Sequence, residues 1–543
     1  MPTVREATYA LLRELGLTTI FGNPGSTEEP FLKDFPADFR YVLALQEASA
    51  VGMADGFAQG TGRPALVNLH TAPGVGNAMG NIITAARNKT PLIITAGQQT
   101  RKMLLMEAFL SNVRATELPL PHVKWSYEPV RAQDVPAAFM RAYAEAVQAP
   151  AGPVFLSLPL DDWEAEAEGT ATLRTVSKRT APDPARLEQV AQAIRGSRSP
   201  ALVMGAGIDR SGGWSAGVTL AEQLGCAVYA APIAERLGFP TSHSQYRGPL
   251  PFAIAPLSRA LAEHDLVIVV GAEVFRYYPY VPGEYLSAGT RLWQLTDDPA
   301  EAARAPVGDS VIGDARLCLE GLSALLTDFQ PPWKRVERPE RPANPPASTP
   351  PSSEPPAGPL SAGELFAAVA QVRPDDALVV QEVPSSIPAL MRNFAFDQPA
   401  SYFTMASGGL GFGLPAAVGL ALAEAQSGRK RPVLAFIGDG SLHYSVQALY
   451  TAAQHRLKVV VIVPRNGEYT ILKMFARQED TPGVPGLDLP GLDAPMIARG
   501  YGVQAQRAET AEDVRAAVSA ALQHDGPTLI EVPIRPEAGK LMG

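Results

Sequence analysis

Short runs of apolar, often β-branched residues alternate along this chain with stretches whose apolar positions recur every three or four residues. The first kind reads as buried strand and the second as amphipathic helix. Between 1 and about 180, strands are expected at 18–21, 41–45, 65–69 and 92–96, with helices near 3–15, 47–59 and 76–87. From 181 to about 327 the strand-like runs are 201–204, 227–229, 266–270 and 292–295. After 361 come a helix at 361–371, a strand at 377–380 and a glycine-rich turn into a helix over 405–423. A strand–helix–strand unit follows at 433–437, 445–455 and 458–463. Strands joined through helices run parallel and need cover on both faces. The pattern therefore predicts three doubly wound, mostly parallel α/β domains at 1–180, 181–327 and 361–543. A Pro-rich linker, too poor in apolar residues for a core, is expected at 328–360.

The totals agree with several domains, because 543 residues exceed what one core holds. A net charge of −9 gives no reason to expect nucleic acid or an anionic membrane as partner. Cys226 and Cys318 are the two cysteines, which excludes a disulfide framework and a cysteine metal cluster. Residues 1–16 read as an amphipathic helix carrying Arg5, Glu6, Arg13 and Glu14 rather than as a signal peptide. No apolar run reaches membrane-spanning length, so a cytoplasmic location is expected. In the second block Gly205 and Gly207 begin a glycine turn, but Arg210 stands where a dinucleotide fingerprint needs its third glycine. NAD and FAD are not expected, and the block reads as a spacer domain.

Candidate chemistry gathers where strands end. The run 433–437 stops at Gly438-Asp439-Gly440, and 458–463 stops before Arg465-Asn466-Gly467. One strand–helix–strand unit separates Asp439 from Asn466, which puts both at the carboxyl edge where open α/β sheets bind ligands. A carboxylate and an amide oxygen, each beside glycine, suit Mg²⁺ or a similar ion, and the turn's N–H groups suit a phosphate. Alone, Gly-Asp-Gly is as well explained by a tight strand-to-helix turn. Three polar residues fall beyond strands of the first block: Ser26, Glu47 and His70. Each has a plain alternative, as helix N-cap, first-turn acid and hydrogen-bonded core histidine respectively. Their common sheet edge favours a shared crevice. Gly408 and Gly409 permit close backbone approach in the third block, with apolar Leu410 beside them; helix–sheet packing would also account for them.

Gly-Asp-Gly followed at this interval by Asn resembles the thiamine-diphosphate/Mg²⁺ signature of thiamine-dependent decarboxylases and carboligases. Over 21–163 the segments FGNPGSTEEPFLKDFP, YVLALQEASAVGMADGFAQ, NLHTAPGVGNAMGN, PLIITAGQQTR and VKWSYEP resemble the benzoylformate decarboxylase branch of that family. The resemblance implies Asp439 and Asn466 as side-chain ligands of Mg²⁺ (or Ca²⁺), and Glu468 as a backbone-carbonyl ligand. Arg465 replaces the family's first Asn of a pair. Glu47 would face the cofactor's pyrimidine and stabilise its imino form, which generates the thiazolium ylid. The Gly408 carbonyl would accept a hydrogen bond from the aminopyrimidine, and Leu410 would wedge beneath the cofactor. The further cofactor contacts implied are Pro24, Gly25, Asn77, Pro384, Ser385, Gly438, Gly440, Ser441, Tyr469, Thr470 and Ile471. Ile471 is bulkier than the family's residue beside the thiazolium.

For a 2-keto acid such as benzoylformate, the resemblance gives Ser26 the carboxylate and His70 proton transfer at the carbonyl oxygen. Phe109, Leu110, Leu472 and Phe475 fall at pocket positions and favour an aryl or bulky aliphatic group; core packing is their alternative. The family's second active-site histidine is here Tyr278, within Val274-Phe275-Arg276-Tyr277-Tyr278. A phenol titrates near pH ~10 against roughly 6.5 for imidazole, so it donates a hydrogen bond but moves protons poorly at neutrality. The expected activity is decarboxylation to aldehyde and CO₂ with acyloin formation as a side activity. A carboligase or lyase of benzaldehyde lyase or acetolactate synthase type is the alternative, and cofactor binding without turnover a third. The family's pyrimidine and diphosphate sites come from different subunits, which implies a homo-oligomer, at least a dimer and in full a tetramer.

Overall fold

In the computed structural model of the chain, residues 1–336 and 358–536 are described. Most of the linker expected at 328–360 lies outside the described residues. Among the described residues there are three six-stranded sheets. The first runs Arg40–Leu43, Thr19–Gly22, Ala65–Leu69, Leu92–Gln98, Val154–Pro159, Ser126–Tyr127, with every pair parallel. The second runs Asp309–Ile312, Arg291–Thr296, Leu266–Val270, Pro200–Met204, Ala227–Ala230, Tyr246–Pro249, again parallel. The third carries Leu378–Glu382, Val433–Ile437, Val459–Arg465, Thr528–Pro533 and Gln504–Arg507 as parallel neighbours in that order. Central strands such as Ala65–Leu69 and Val433–Ile437 are buried at every position, which is why they read as unbroken apolar runs.

Two compact units hold these sheets. One is drawn from Met1–Val176, Thr349–Asn393 and Ser407–Gly543, the other from Ser177–Ser348 and Phe394–Ala406. The first unit contains the first sheet and most of the third. Its helices Glu47–Thr61 and Gly413–Ser427 cross so closely that a Cβ on Gly419 would stand 1.9 Å from the Met53 carbonyl oxygen. Among the described residues no helix is long and apolar enough to cross a membrane.

Several elements depart from the expected bounds in ways that matter for chemistry. The helix expected at 76–87 is Thr71–Arg87, because the His70 carbonyl already accepts the Gly74 N–H at 2.7 Å. His70 is thus the residue at its N-terminus. The strand expected at 377–380 is Leu378–Glu382, which carries a buried acid to the sheet edge. The helix expected at 445–455 is Ala448–Gln454, and a further short helix, Asp439–Leu442, opens directly after Gly438.

Candidate active site

At the carboxyl edge of the first sheet a buried carboxylate organises the polar residues. Glu28, 1 % exposed, accepts hydrogen bonds from the Gly25 N–H (3.0 Å), the Thr27 hydroxyl (2.7 Å), the Thr71 N–H (3.3 Å) and the Gly97 N–H (2.8 Å). Its Oε2 also lies 2.9 Å from Nδ1 of His70. A Cβ on Gly25 would stand 2.0 Å from that ring nitrogen, so the imidazole lies flat against bare backbone. With Nδ1 tied to Glu28, Nε2 is the ring nitrogen left for other chemistry. Ser26 is exposed between Gly25 and Thr27 and does not cap a helix: the helix Glu29–Leu32 has Glu28 at its N-cap. Pro24 is exposed as well.

Glu47 is the first residue of the helix Glu47–Thr61 and is 7 % exposed. The Asn77 amide donates to its Oε2 at 3.1 Å. The first-turn position matches the helix dipole, and the amide fixes the carboxylate's direction. Phe109 and Leu110 sit in a loop tied to the same edge. The Leu110 carbonyl accepts from the Thr71 hydroxyl (3.2 Å) and the Phe109 carbonyl from the Gln99 amide (2.9 Å). Phe109 is 88 % exposed in the single chain, so core packing does not account for it.

The third sheet brings Asp439 and Asn466 together. Asp439 Oδ2 accepts the Gly467 N–H at 2.8 Å and Oδ1 the Gly440 N–H at 2.9 Å. Burial pushes its carboxyl above the ordinary range against those two donors. The Asn466 amide donates to the Thr470 hydroxyl (2.9 Å) and its oxygen accepts the Glu468 N–H (3.2 Å). The Glu468 side chain turns away to Lys473, which also holds Asp488 at 2.5 Å. Arg465 turns to Glu531, whose fully buried carboxylate lies 3.3 Å from Arg465 Nε and 2.7 Å from Arg507 Nε. Tyr469 lies over the Gly-Asp-Gly turn, 2.5 Å from where a Gly440 Cβ would be. Pro384 and Ser385 form a short 3₁₀ turn after Glu382. Ile471, Leu472 and Phe475 lie on the helix Thr470–Gln478, none of them fully buried. Gly438 and Ser441 flank Asp439, while Gly408 is exposed and Leu410 half-buried in the preceding turn.

Three family descriptions match the chain: the thiamine pyrophosphate enzyme N-terminal TPP binding domain over 2–118, the central domain over 187–322 and the C-terminal TPP binding domain over 386–532. The chain belongs to the thiamine pyrophosphate enzymes. A Pseudomonas aeruginosa protein named benzoylformate decarboxylase is 48% identical over 98% of this chain and 99% of its own. The crystal structure of benzoylformate decarboxylase from Polynucleobacter necessarius superposes with a TM-score of 0.94 at 48% identity, covering both chains fully (100% and 100%). A thiamine diphosphate-dependent 4-hydroxybenzoylformate decarboxylase from Rhodococcus jostii RHA1 gives a TM-score of 0.92 at 42% identity, over 99% of this chain and 100% of that one.

The residues present fit the family's cofactor and metal. Asp439 is a buried carboxylate whose neighbouring Arg465 is engaged by Glu531, which leaves negative charge for a divalent ion to offset. Among the described residues no three His, Cys, Asp or Glu side chains stand together as a metal cage; one carboxylate, one amide and one carbonyl would not form such a group. Tyr278 belongs to the second unit and is 59 % exposed. In that unit a small cavity beside Gly271 is lined by Arg210, Glu235, Glu273 and Arg276. They pair with one another there, Arg210 with Glu235 at 2.6 Å and Arg276 with Glu235 and Glu273 at 2.8 and 2.9 Å. Sequence reasoning missed Glu28, Glu382 and Glu531, three buried acids; Glu28 lies inside a quoted segment, but three of its partners, His70, Thr71 and Gly97, are 42, 43 and 69 positions away.

Proposed function

We propose that this thiamine-diphosphate enzyme decarboxylates an aryl 2-keto acid of the benzoylformate kind, breaking the bond from keto carbon to carboxylate and releasing CO₂ and the aldehyde. The observation that carries the reading is the pairing of buried Glu28 with half-buried His70 beside Gly25-Ser26, in a chain matching a benzoylformate decarboxylase over 98% of its length. Thiamine diphosphate supplies the nucleophilic carbon and the electron sink. Glu47, aimed by Asn77, shares a proton with the pyrimidine ring. Asp439, Asn466 and the Glu468 carbonyl hold Mg²⁺, and the Gly438–Ser441 turn receives the diphosphate. Ser26 donates to the substrate carboxylate. His70 offers Nε2 for proton transfer at the keto oxygen, its tautomer held by Glu28. Phe109, Leu110, Leu472 and Phe475 bound the aryl group. The working assembly is a homo-oligomer, at least a dimer and in full a tetramer, and the location is cytoplasmic.

The test supplies thiamine diphosphate, Mg²⁺ and benzoylformate and follows CO₂ and benzaldehyde. Stoichiometric release of both is expected, and binding of the cofactor without product would remove the proposal. Tyr278, with a phenol in place of imidazole, favours the carboligase reading as the alternative. Acyloin formed from benzaldehyde alone, without CO₂ from the keto acid, would select it.

A further inference from the structure

The turn leading into the helix Gly413–Ser427 is held by a carboxylate that belongs to no motif. Glu382 closes the strand Leu378–Glu382 and is 1 % exposed. Its Oε1 accepts the Gly411 N–H at 2.8 Å and its Oε2 the Gly413 N–H at 2.6 Å. The Phe412 N–H and the Ser441 hydroxyl lie close to the carboxylate as well. Its backbone carbonyl accepts the Gly438 N–H at 3.0 Å. One residue is therefore bonded both to the turn after Gly408-Leu410 and to the Gly-Asp-Gly turn. Orphan N–H groups open every helix, and here a carboxylate from a neighbouring strand satisfies them in place of a local cap.

The next peptide along the chain is also gripped. The Gly411 carbonyl accepts from the Ser445 hydroxyl at 2.7 Å and the Asn81 amide at 3.2 Å. Gly411 has φ 103°, and a Cβ there would stand 2.9 Å from that of Tyr444. With the peptides on both sides of Gly411 held and its φ set, the residue has one orientation, and Leu410 is attached directly to it.

We propose that Glu382 is a positioning residue for the cofactor: by holding the Gly411 and Gly413 amides with its carboxylate and the Gly438 amide with its backbone carbonyl, it sets the span between the Gly408-Leu410 wedge and the diphosphate turn before thiamine diphosphate arrives. The inference rests on assigning those two turns to opposite ends of the cofactor. Its contribution is preorganisation, since the turns would otherwise have to be ordered at the expense of binding energy.

Two probes divide the site. Thiamine diphosphate with Mg²⁺ engages both turns, whereas inorganic pyrophosphate with Mg²⁺ engages only the diphosphate turn. Glu382→Gln keeps the volume but replaces one acceptor oxygen with a donor that faces backbone N–H groups. Titration calorimetry at pH 8 should show thiamine diphosphate bound about tenfold more weakly by the variant, with pyrophosphate affinity within about threefold. Equal weakening of both probes would mark a merely structural role and overturn the proposal, as would unchanged affinity for both. Should Glu382→Gln fail to fold, Ser445→Ala loosens the adjoining peptide, between Gly411 and Phe412, without touching a buried charge. The same selective loss is then expected, and equal or absent loss again overturns the proposal. Failure of the wild type to bind thiamine diphosphate would sink the reading of the site and this inference with it; normal wild-type binding with an unchanged variant sinks this inference alone.

Discussion

Glu28→Gln tests whether His70 acts as oriented. The Glu28 carboxylate accepts five hydrogen bonds, from Gly25, Thr27, His70, Thr71 and Gly97. Oε1 takes three of them and Oε2 takes two, so an amide confronts at least two donors whichever way it is turned. Bonds to a charged group contribute about 1.5–3 kcal/mol each, which sets the loss of stability at roughly 3–6 kcal/mol before local relaxation. If the amide nitrogen faces His70, Nδ1 must give up its proton and the tautomer reverses. Proton transfer by a positioned side chain contributes about 10²–10⁴-fold, so a fall in kcat of ~10²-fold is expected. The assay is the initial rate of benzoylformate consumption with saturating thiamine diphosphate and Mg²⁺, in a double-mutant cycle with His70→Ala. Because Glu28 acts through the imidazole, its replacement should cost less than about threefold once His70 is gone. Cofactor binding and circular dichroism check that all four proteins are folded. The same ~10²-fold loss in both backgrounds would refute the reasoning, since Glu28 would then act on the site by another route.

Glu47→Gln should lower kcat by about 10²-fold or more while thiamine diphosphate still binds, measured by titration calorimetry beside the rate assay; undiminished turnover removes Glu47 from its role. Chelating Mg²⁺ with EDTA should release the cofactor on gel filtration and MgCl₂ should restore it, because Asp439 and a diphosphate repel each other without a cation. Gly419→Ala should destabilise the first unit by about 1–3 kcal/mol or more, seen in thermal denaturation, because its Cβ would sit 1.9 Å from the Met53 carbonyl oxygen. Burial raises the Glu382 carboxyl to about 7 from an ordinary 4.5, against the donors of the 411–413 turn and Ser441. Between those values the folded chain binds more protons than the unfolded one, so this group's contribution is complete below about pH 4.5 and is lost as pH rises through about 7. The unfolding free energy of the wild type, less that of Glu382→Gln, should therefore fall from about pH 5 to 7 by no more than ~3 kcal/mol, and a pH-independent difference would refute it.

What could be read from the chain and what could not follow from how far apart the cooperating groups lie. Asp439 and Asn466 were legible because a single parallel unit joins them, and its register (Val433 beside Val459) brings the strand ends together. Val433–Ile437 and Leu266–Val270 were legible as apolar runs bounded by turns. The start of Thr71–Arg87 was not, because glycines near a helix start look like a loop when the groups they approach are out of view. Glu28 and Glu382 were invisible for a related reason. An acid at or just beyond a strand end is as well suited to solvent as to burial, and what decides is the set of backbone N–H groups that distant segments deliver to it. Gly97 reaches Glu28 from a strand end, and Gly411 and Gly413 reach Glu382 from a turn about thirty residues on. Burying an ionised carboxylate costs several kcal/mol unless its oxygens are met by donors, so each acid requires the loops around it to close in one geometry. At both edges those loops carry the groups assigned to chemistry: His70 and Ser26 beside Glu28, Leu410 and Ser441 beside Glu382. The same electrostatic demand that makes these acids costly to bury is what holds the site's flexible segments in place, and it depends on contacts that no local window of the chain contains.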